Sequence, residues 1–144
     1  RRLTTLDASG MAHPVAAGEG LEERLRAEFG GELPSVVFDA TGNAASMVAA
    51  PGLAAPGGRV TFVGHTKGTL AIDNQTIHRK ELTLLTSRNA VRADFERVLR
   101  HLRSGVHDPR RWINARTDLG GVVDDLPRWA AGGDGVVKAM VHLA

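Results

Sequence analysis

The sequence predicts an α/β fold with a parallel sheet. Short β-branched runs at 35–39, 59–63 and 82–86 alternate with stretches of helical periodicity. Turn residues such as Pro56-Gly57-Gly58 separate them. The clearest amphipathic pattern sets Val91, Phe95, Val98, Leu99 and Leu102 on one helix face. At 144 residues, the chain is long enough to build one domain with its own core.

In chain order, Leu21, Leu25 and Phe29 recur every four residues in a stretch closed by Gly30-Gly31, the pattern of a helix with its stop. Glu22 and Arg26 add an i,i+4 pair in the favourable orientation. Residues 35–39 read as a buried strand. Asn43 is a good N-cap, so 44–55 should be mostly helical, with a break at Pro51-Gly52. The strand at 59–63 leads into a loop and then the strand at 82–86. The helix of 91–103 ends at Ser104-Gly105. Beyond it the pattern changes: Trp112-Ile113, a turn at Gly120-Gly121, a short helix over 127–131 and a last strand over 136–143. That change marks a second structural unit.

Composition narrows the function classes. The 42% hydrophobic and 24% charged residues are the balance of a globular domain. No apolar run nears the roughly 18 residues of a membrane span, and the start carries no signal peptide, so the expected location is cytoplasmic. With no cysteine there is neither a disulfide framework nor a thiolate metal site. The net charge is only +2. Arg97, Arg100, Arg103, Arg110 and Arg111 read as a solvated face; with so few aromatic residues for stacking, no nucleic-acid partner is expected. His65, His78 and His101 lie on separate elements without zinc-motif spacing, so no metal ligand is named. Asp124-Asp125 reads as helix capping ahead of Pro127, not as a catalytic pair. No nucleophile motif is present, and no catalytic residue is assigned.

In an open parallel sheet, ligands bind beyond the carboxyl ends of the strands. The three strands end in Thr41-Gly42, Val63-Gly64 and Ser87-Arg88-Asn89. Gly42 and Gly64 allow close backbone approach. Arg88 offers a fork of donors for phosphate, and Asn89 can donate and accept toward an amide. Taken singly, these are also turn glycines and a surface arginine; their recurrence at equivalent strand ends is what points to a ligand crevice.

The run VVFDATGN (36–43), PGGRVTFVG (56–64), HRKELTLLTSRN (78–89) resembles the coenzyme domain of medium-chain, zinc-type alcohol and polyol dehydrogenases. RRWINARTDL (110–119) and GVVKAMV (135–141) continue the likeness. The resemblance implies a partial Rossmann-like sheet over 1–87. A C-terminal segment returning to the catalytic domain would then occupy 88–144. It implies NAD or NADP along Thr41, Gly42, Val63 and Gly64, with Ser87, Arg88 and Asn89 at its pyrophosphate and nicotinamide portions. Lys138 matches a basic position near the pyrophosphate, with an exposed strand lysine as the alternative. His13-Pro14-Val15-Ala16 would be a further strand, preceded by a helix containing Arg1.

The sequence departs from that family pattern in what is missing. No G-x-G-x-x-G occurs; after Gly18-Glu19-Gly20, Glu23 stands where the third glycine belongs. The acidic ribose-binding residue is absent too, so NAD and NADP are not distinguished. The resemblance places the zinc ligands of the parent enzyme outside this chain. The expected role is part of the coenzyme cleft of an enzyme acting on a small alcohol or polyol, the chain alone being inactive. A non-catalytic α/β nucleotide-binding or interaction module is the alternative; a methyltransferase-like sheet is disfavoured. With Val36, Val37 and Phe38 on an edge strand, and the apolar helix face partly uncovered, a homo-oligomer is expected.

Overall fold

The computed structural model describes residues 13–106, 108–132 and 135–143. They fall into two compact units, one of residues 15–89 and one that joins residues 13–14 to those from Ala90 onward.

In the first unit, α1 (Leu21–Glu28) carries Glu22 and Glu23 in its first turn, where acidic side chains complement the helix dipole. The Arg26–Glu22 ion pair closes at 2.8 Å. Gly30 and Gly31, both at positive φ, stop the helix, and the Gly31 N–H donates to the Arg26 carbonyl. The sheet has three parallel strands in the order β1 (Val36–Asp39), β2 (Arg59–Phe62), β3 (Thr83–Thr86). The central strand carries the core. Val60 and Phe62 are buried with Met47, Ala50 and Ala54, and Val37, Leu70, Ile72, Leu82 and Leu84 pack around them.

Helix α2 (Ala44–Ala49) starts where the Asn43 side chain accepts a hydrogen bond from the Ser46 N–H. It stops short of the expected 55. At Pro51 the chain tightens into a 3-10 turn, Ala50–Leu53, because proline has no N–H to continue an α-helical ladder. Lys80 Nζ then donates to the carbonyls of Gly52 and Ala54, at 2.6 and 2.8 Å.

Two expectations for the chain up to β3 are corrected. The stretch between the second and third strands contains a helix, α3 (Asn74–Arg79), whose start is set by Asp73. Its carboxylate accepts from the N–H groups of Gln75 and Thr76 and from the Thr76 hydroxyl. Residues 13–16 form no strand; Pro14 cannot donate to a ladder, and β1 pairs only with β2 among the described residues. The helix expected around Arg1 lies outside the described residues.

In the second unit, α4 (Arg92–Arg103) begins with the Val91 N–H donating to Asp94 at 3.0 Å. Val91, Phe95, Val98, Leu99 and Leu102 all lie on the solvent-exposed surface. A 3-10 turn, Pro109–Trp112, is capped by Asp108, which also takes two hydrogen bonds from the Arg110 guanidinium. These bonds hold the Asp108 carboxyl at about 2. A strand absent from the sequence reading follows, β4 (Ile113–Asp118), paired in parallel with β5 (Lys138–His142). Between them α5 (Val122–Ala130) starts earlier than expected and holds Pro127 inside it. Asp124 and Asp125 lie in its first turn and do not cap it; Gly121 takes the cap position, its N–H bound to Asp118.

The join between β4 and β5 rests on Asn114, at a register irregularity. Its Oδ1 accepts from the N–H groups of Val137 and Lys138, and its Nδ2 donates to the Gly135 carbonyl. Asn114→Ala should destabilise this unit by about 1–2 kcal/mol, since three backbone groups lose their partner to water. Chemical denaturation of the variant checks this, and an unchanged midpoint would contradict it. No described helix is long and apolar enough to cross a membrane.

Candidate functional site

Because β1, β2 and β3 run parallel, their carboxyl ends emerge on one side of the sheet. At the end of β1, Asp39 is buried. Its Oδ1 accepts from the Thr41 N–H at 3.0 Å and the Thr41 hydroxyl at 2.8 Å, and its Oδ2 from the Ser46 hydroxyl at 2.6 Å. The Asp39 carbonyl accepts from both Val63 and Gly64 N–H groups at 2.8 Å. One residue therefore ties the turn after β1 to the turn after β2.

The two turns meet backbone to backbone. Gly42 sits at φ 64, and a Cβ there would lie 3.1 Å from the His65 carbonyl oxygen. A Cβ on Gly64 would collide with the Gly42 backbone and lie 3.1 Å from the Thr41 nitrogen. Glycine at both positions is a steric requirement of this joint. At the end of β3, the Ser87 N–H donates to the Phe62 carbonyl at 3.0 Å, and Asn89 adopts φ 62.

Between the second and third turns lies a crevice of about 700 Å³. Met47, Phe62, Val63 and Leu70 give it apolar walls; Gly64, His65, Thr66, Thr86, Ser87, Arg88 and Asn89 line the rest. Among the described residues, no acidic side chain pairs with the exposed Arg88 guanidinium. The arrangement combines an apolar wall, a close-approach backbone and an uncommitted cation, which suits a flat ring joined to phosphate.

Burial pushes the Asp39 carboxyl up, but the hydrogen bonds from Ser46 and Thr41 outweigh it and hold the group below its ordinary value of 3.8. A depressed pKa contributes stability that is present above 3.8 and is lost as pH falls through the lower folded value. Thermal melts in acid should therefore show a steeper loss for the native chain than for Asp39→Asn. Equal slopes between pH 5 and about 2 would remove Asp39 from the acid response.

Of the sequence-predicted residues, Val63, Gly64, Ser87, Arg88 and Asn89 line the crevice. Thr41 and Gly42 stand behind it, against Gly64. Lys138 is an exposed residue of β5, in the other unit. Met47, His65, Thr66 and Leu70 also line the crevice. They come from a helix and an irregular loop, for which strand-end reasoning has no signal.

The model of the family described as zinc-binding dehydrogenase matches residues 1–104 of this chain. The chain belongs to the zinc-binding dehydrogenase family. It is 43% identical over 89 residues to L-galactonate-5-dehydrogenase of Escherichia coli K12, covering 62% of this chain and 26% of that protein. To D-xylulose reductase of Scheffersomyces stipitis it is 33% identical over 81 residues, 56% of this chain and 22% of that one. Alcohol dehydrogenase TADH of Thermus sp. ATN1 matches with a TM-score of 0.88 at 27% identity, over 99% of this chain and 41% of its own. An alcohol dehydrogenase of Escherichia coli CFT073, solved with NADH, shares the fold with a TM-score of 0.84 at 23% identity, over 99% of this chain and 42% of its own. The sheet of this zinc-binding dehydrogenase chain is thus Rossmann-like. The chain spans about a quarter of the length of the curated relatives it matches.

The residues of this family member do not fit a zinc site. It has no cysteine, and no three His, Asp or Glu side chains converge among the described residues. The crevice itself, with apolar Met47, Phe62 and Leu70 beside the exposed Arg88, suits a ring joined to phosphate.

Proposed function

We propose that this chain forms part of the coenzyme cleft of an NAD- or NADP-dependent alcohol, polyol or sugar-acid dehydrogenase. The observation that carries the reading is the crevice at three parallel strand ends, with a glycine joint on one side and Arg88 on the other. Thr41, Gly42, Val63 and Gly64 would run along the coenzyme. Ser87, Arg88 and Asn89 would hold its pyrophosphate and carboxamide. When bound, the coenzyme supplies the hydride acceptor. Met47, Phe62 and Leu70 would exclude water from one face of the ring, and Arg88 would neutralise phosphate charge. Zinc is assigned to the parent enzyme through ligands outside this sequence. A small secondary alcohol within a polyol or sugar acid is the substrate class, supported by the relatives' named activities. The exposed Val36 and Phe38 of the edge strand, with the apolar face of α4, support a homo-oligomer.

The test is a fluorescence titration of the dehydrogenase carrying this chain with NADH and NADPH, followed by oxidation assays on polyols and sugar acids. Saturable binding of one coenzyme is expected. No binding of either at millimolar concentration would reject the reading.

A further inference from the structure

We infer that Asp39 is a positioning residue for the coenzyme crevice, setting the distance between the turns after β1 and β2. The inference rests on the coenzyme-cleft reading and deepens it.

Asp39 lines no part of the crevice, yet both walls of the glycine joint hang from it. Its carboxylate fixes Thr41 through the N–H and hydroxyl, and Thr41 Oγ1 in turn accepts from the Asn43 N–H at 3.1 Å. Its second oxygen holds Ser46 in the first turn of α2. Its own carbonyl receives Val63 and Gly64 from the neighbouring strand end. Asp39 is only 5% exposed, and its carboxylate is committed to these partners. A merely structural buried carboxylate would tie up spare donors. This one ties the turn bearing Gly42 to the helix behind it, at the point where Gly42 and Gly64 touch. Release of Thr41 would let Gly42 drift against Gly64 and close or skew the approach.

The chemistry of the two obvious variants separates positioning from bulk stability. In Asp39→Asn, the amide oxygen can keep both Thr41 hydrogen bonds while the amide nitrogen donates to Ser46 Oγ, reversing that one bond. Asp39→Ala loses all three. Coenzyme affinity is measured by fluorescence titration at a temperature where each protein is folded. The KM for coenzyme and kcat are read alongside. Asp39→Ala should bind at least tenfold more weakly, with the loss in KM and kcat falling less than about threefold. Asp39→Asn should bind within about threefold of the native protein. Unchanged affinity in folded Asp39→Ala, whatever its melting temperature, overturns the inference and leaves the cleft reading standing. Should Asp39→Ala not fold, Thr41→Val, which removes the hydroxyl's bonds to Asp39 and from the Asn43 N–H, should weaken binding several-fold; unchanged affinity there overturns the inference equally. Absence of coenzyme binding by the native protein overturns the cleft reading, and this inference with it.

Discussion

Gly64→Val is expected to reduce coenzyme affinity at least a hundredfold. The backbone of Gly64 is not in the left-handed region, so the effect is steric. The first added carbon already meets the Gly42 backbone, which cannot rotate away as a side-chain tip could. Two further methyl groups widen the conflict. Overpacking of this kind costs about 1–3 kcal/mol in stability, so the chain should fold with a lower melting temperature. Affinity suffers more than stability, because the relief open to the chain is to push apart the turns after β1 and β2. Gly64→Ala should show the same pattern with smaller amplitude. Affinity of Gly64→Val within twofold of native, measured by titration, would mean that the joint does not shape the site.

Arg88→Ala should show the opposite separation, a loss of binding with stability untouched. No acidic side chain pairs with Arg88 among the described residues, so the folded chain forfeits no ion pair there. Loss of a charge-assisted contact to phosphate costs about 1.5–3 kcal/mol, roughly ten- to a hundredfold in affinity. Arg88→Lys should recover only part of this, since an ammonium keeps the charge and loses the planar fork. Raising the salt concentration should narrow the gap between native and variant. An affinity within twofold of native, or a marked fall in melting temperature, would make Arg88 a surface residue or a structural one.

The strands of the first unit are legible in sequence because β-branched runs there stand between turn residues. Their observed bounds, Val36–Asp39, Arg59–Phe62 and Thr83–Thr86, each fall within one residue of the expected ones. The stop at Gly30-Gly31 and the break at Pro51 are legible for the same local reason. Helix α3 is not, since Asn74–Arg79 has Ile77 as its lone apolar residue and owes its start to Asp73. Strand β4 hides in a different way. Ile113, Ala115 and Thr117 alternate with Asn114, Arg116 and Asp118, a half-buried pattern whose polar half dilutes any count of strand formers. At the site, glycine and arginine at strand ends are visible as residue types. The role of Asp39 is not, because in sequence it reads only as the last residue of a strand. Only the pairing of β1 with β2 brings Val63 and Gly64 onto its carbonyl.

The left-handed backbone of Asn89 separates heat from affinity. At φ 62 a residue with a side chain sits in a sparsely populated region, where asparagine is among the least penalised. That conformational cost falls during folding, so the end of β3 would meet the proposed coenzyme with the bend already made. Glycine at this position would relax the bend while deleting the amide, and alanine would delete the amide while retaining the strain. Calorimetry on the two variants should therefore differ mainly in entropy, the glycine form binding with the larger ordering penalty. The bend at Asn89 is thus a stored reduction in the disorder that binding must remove.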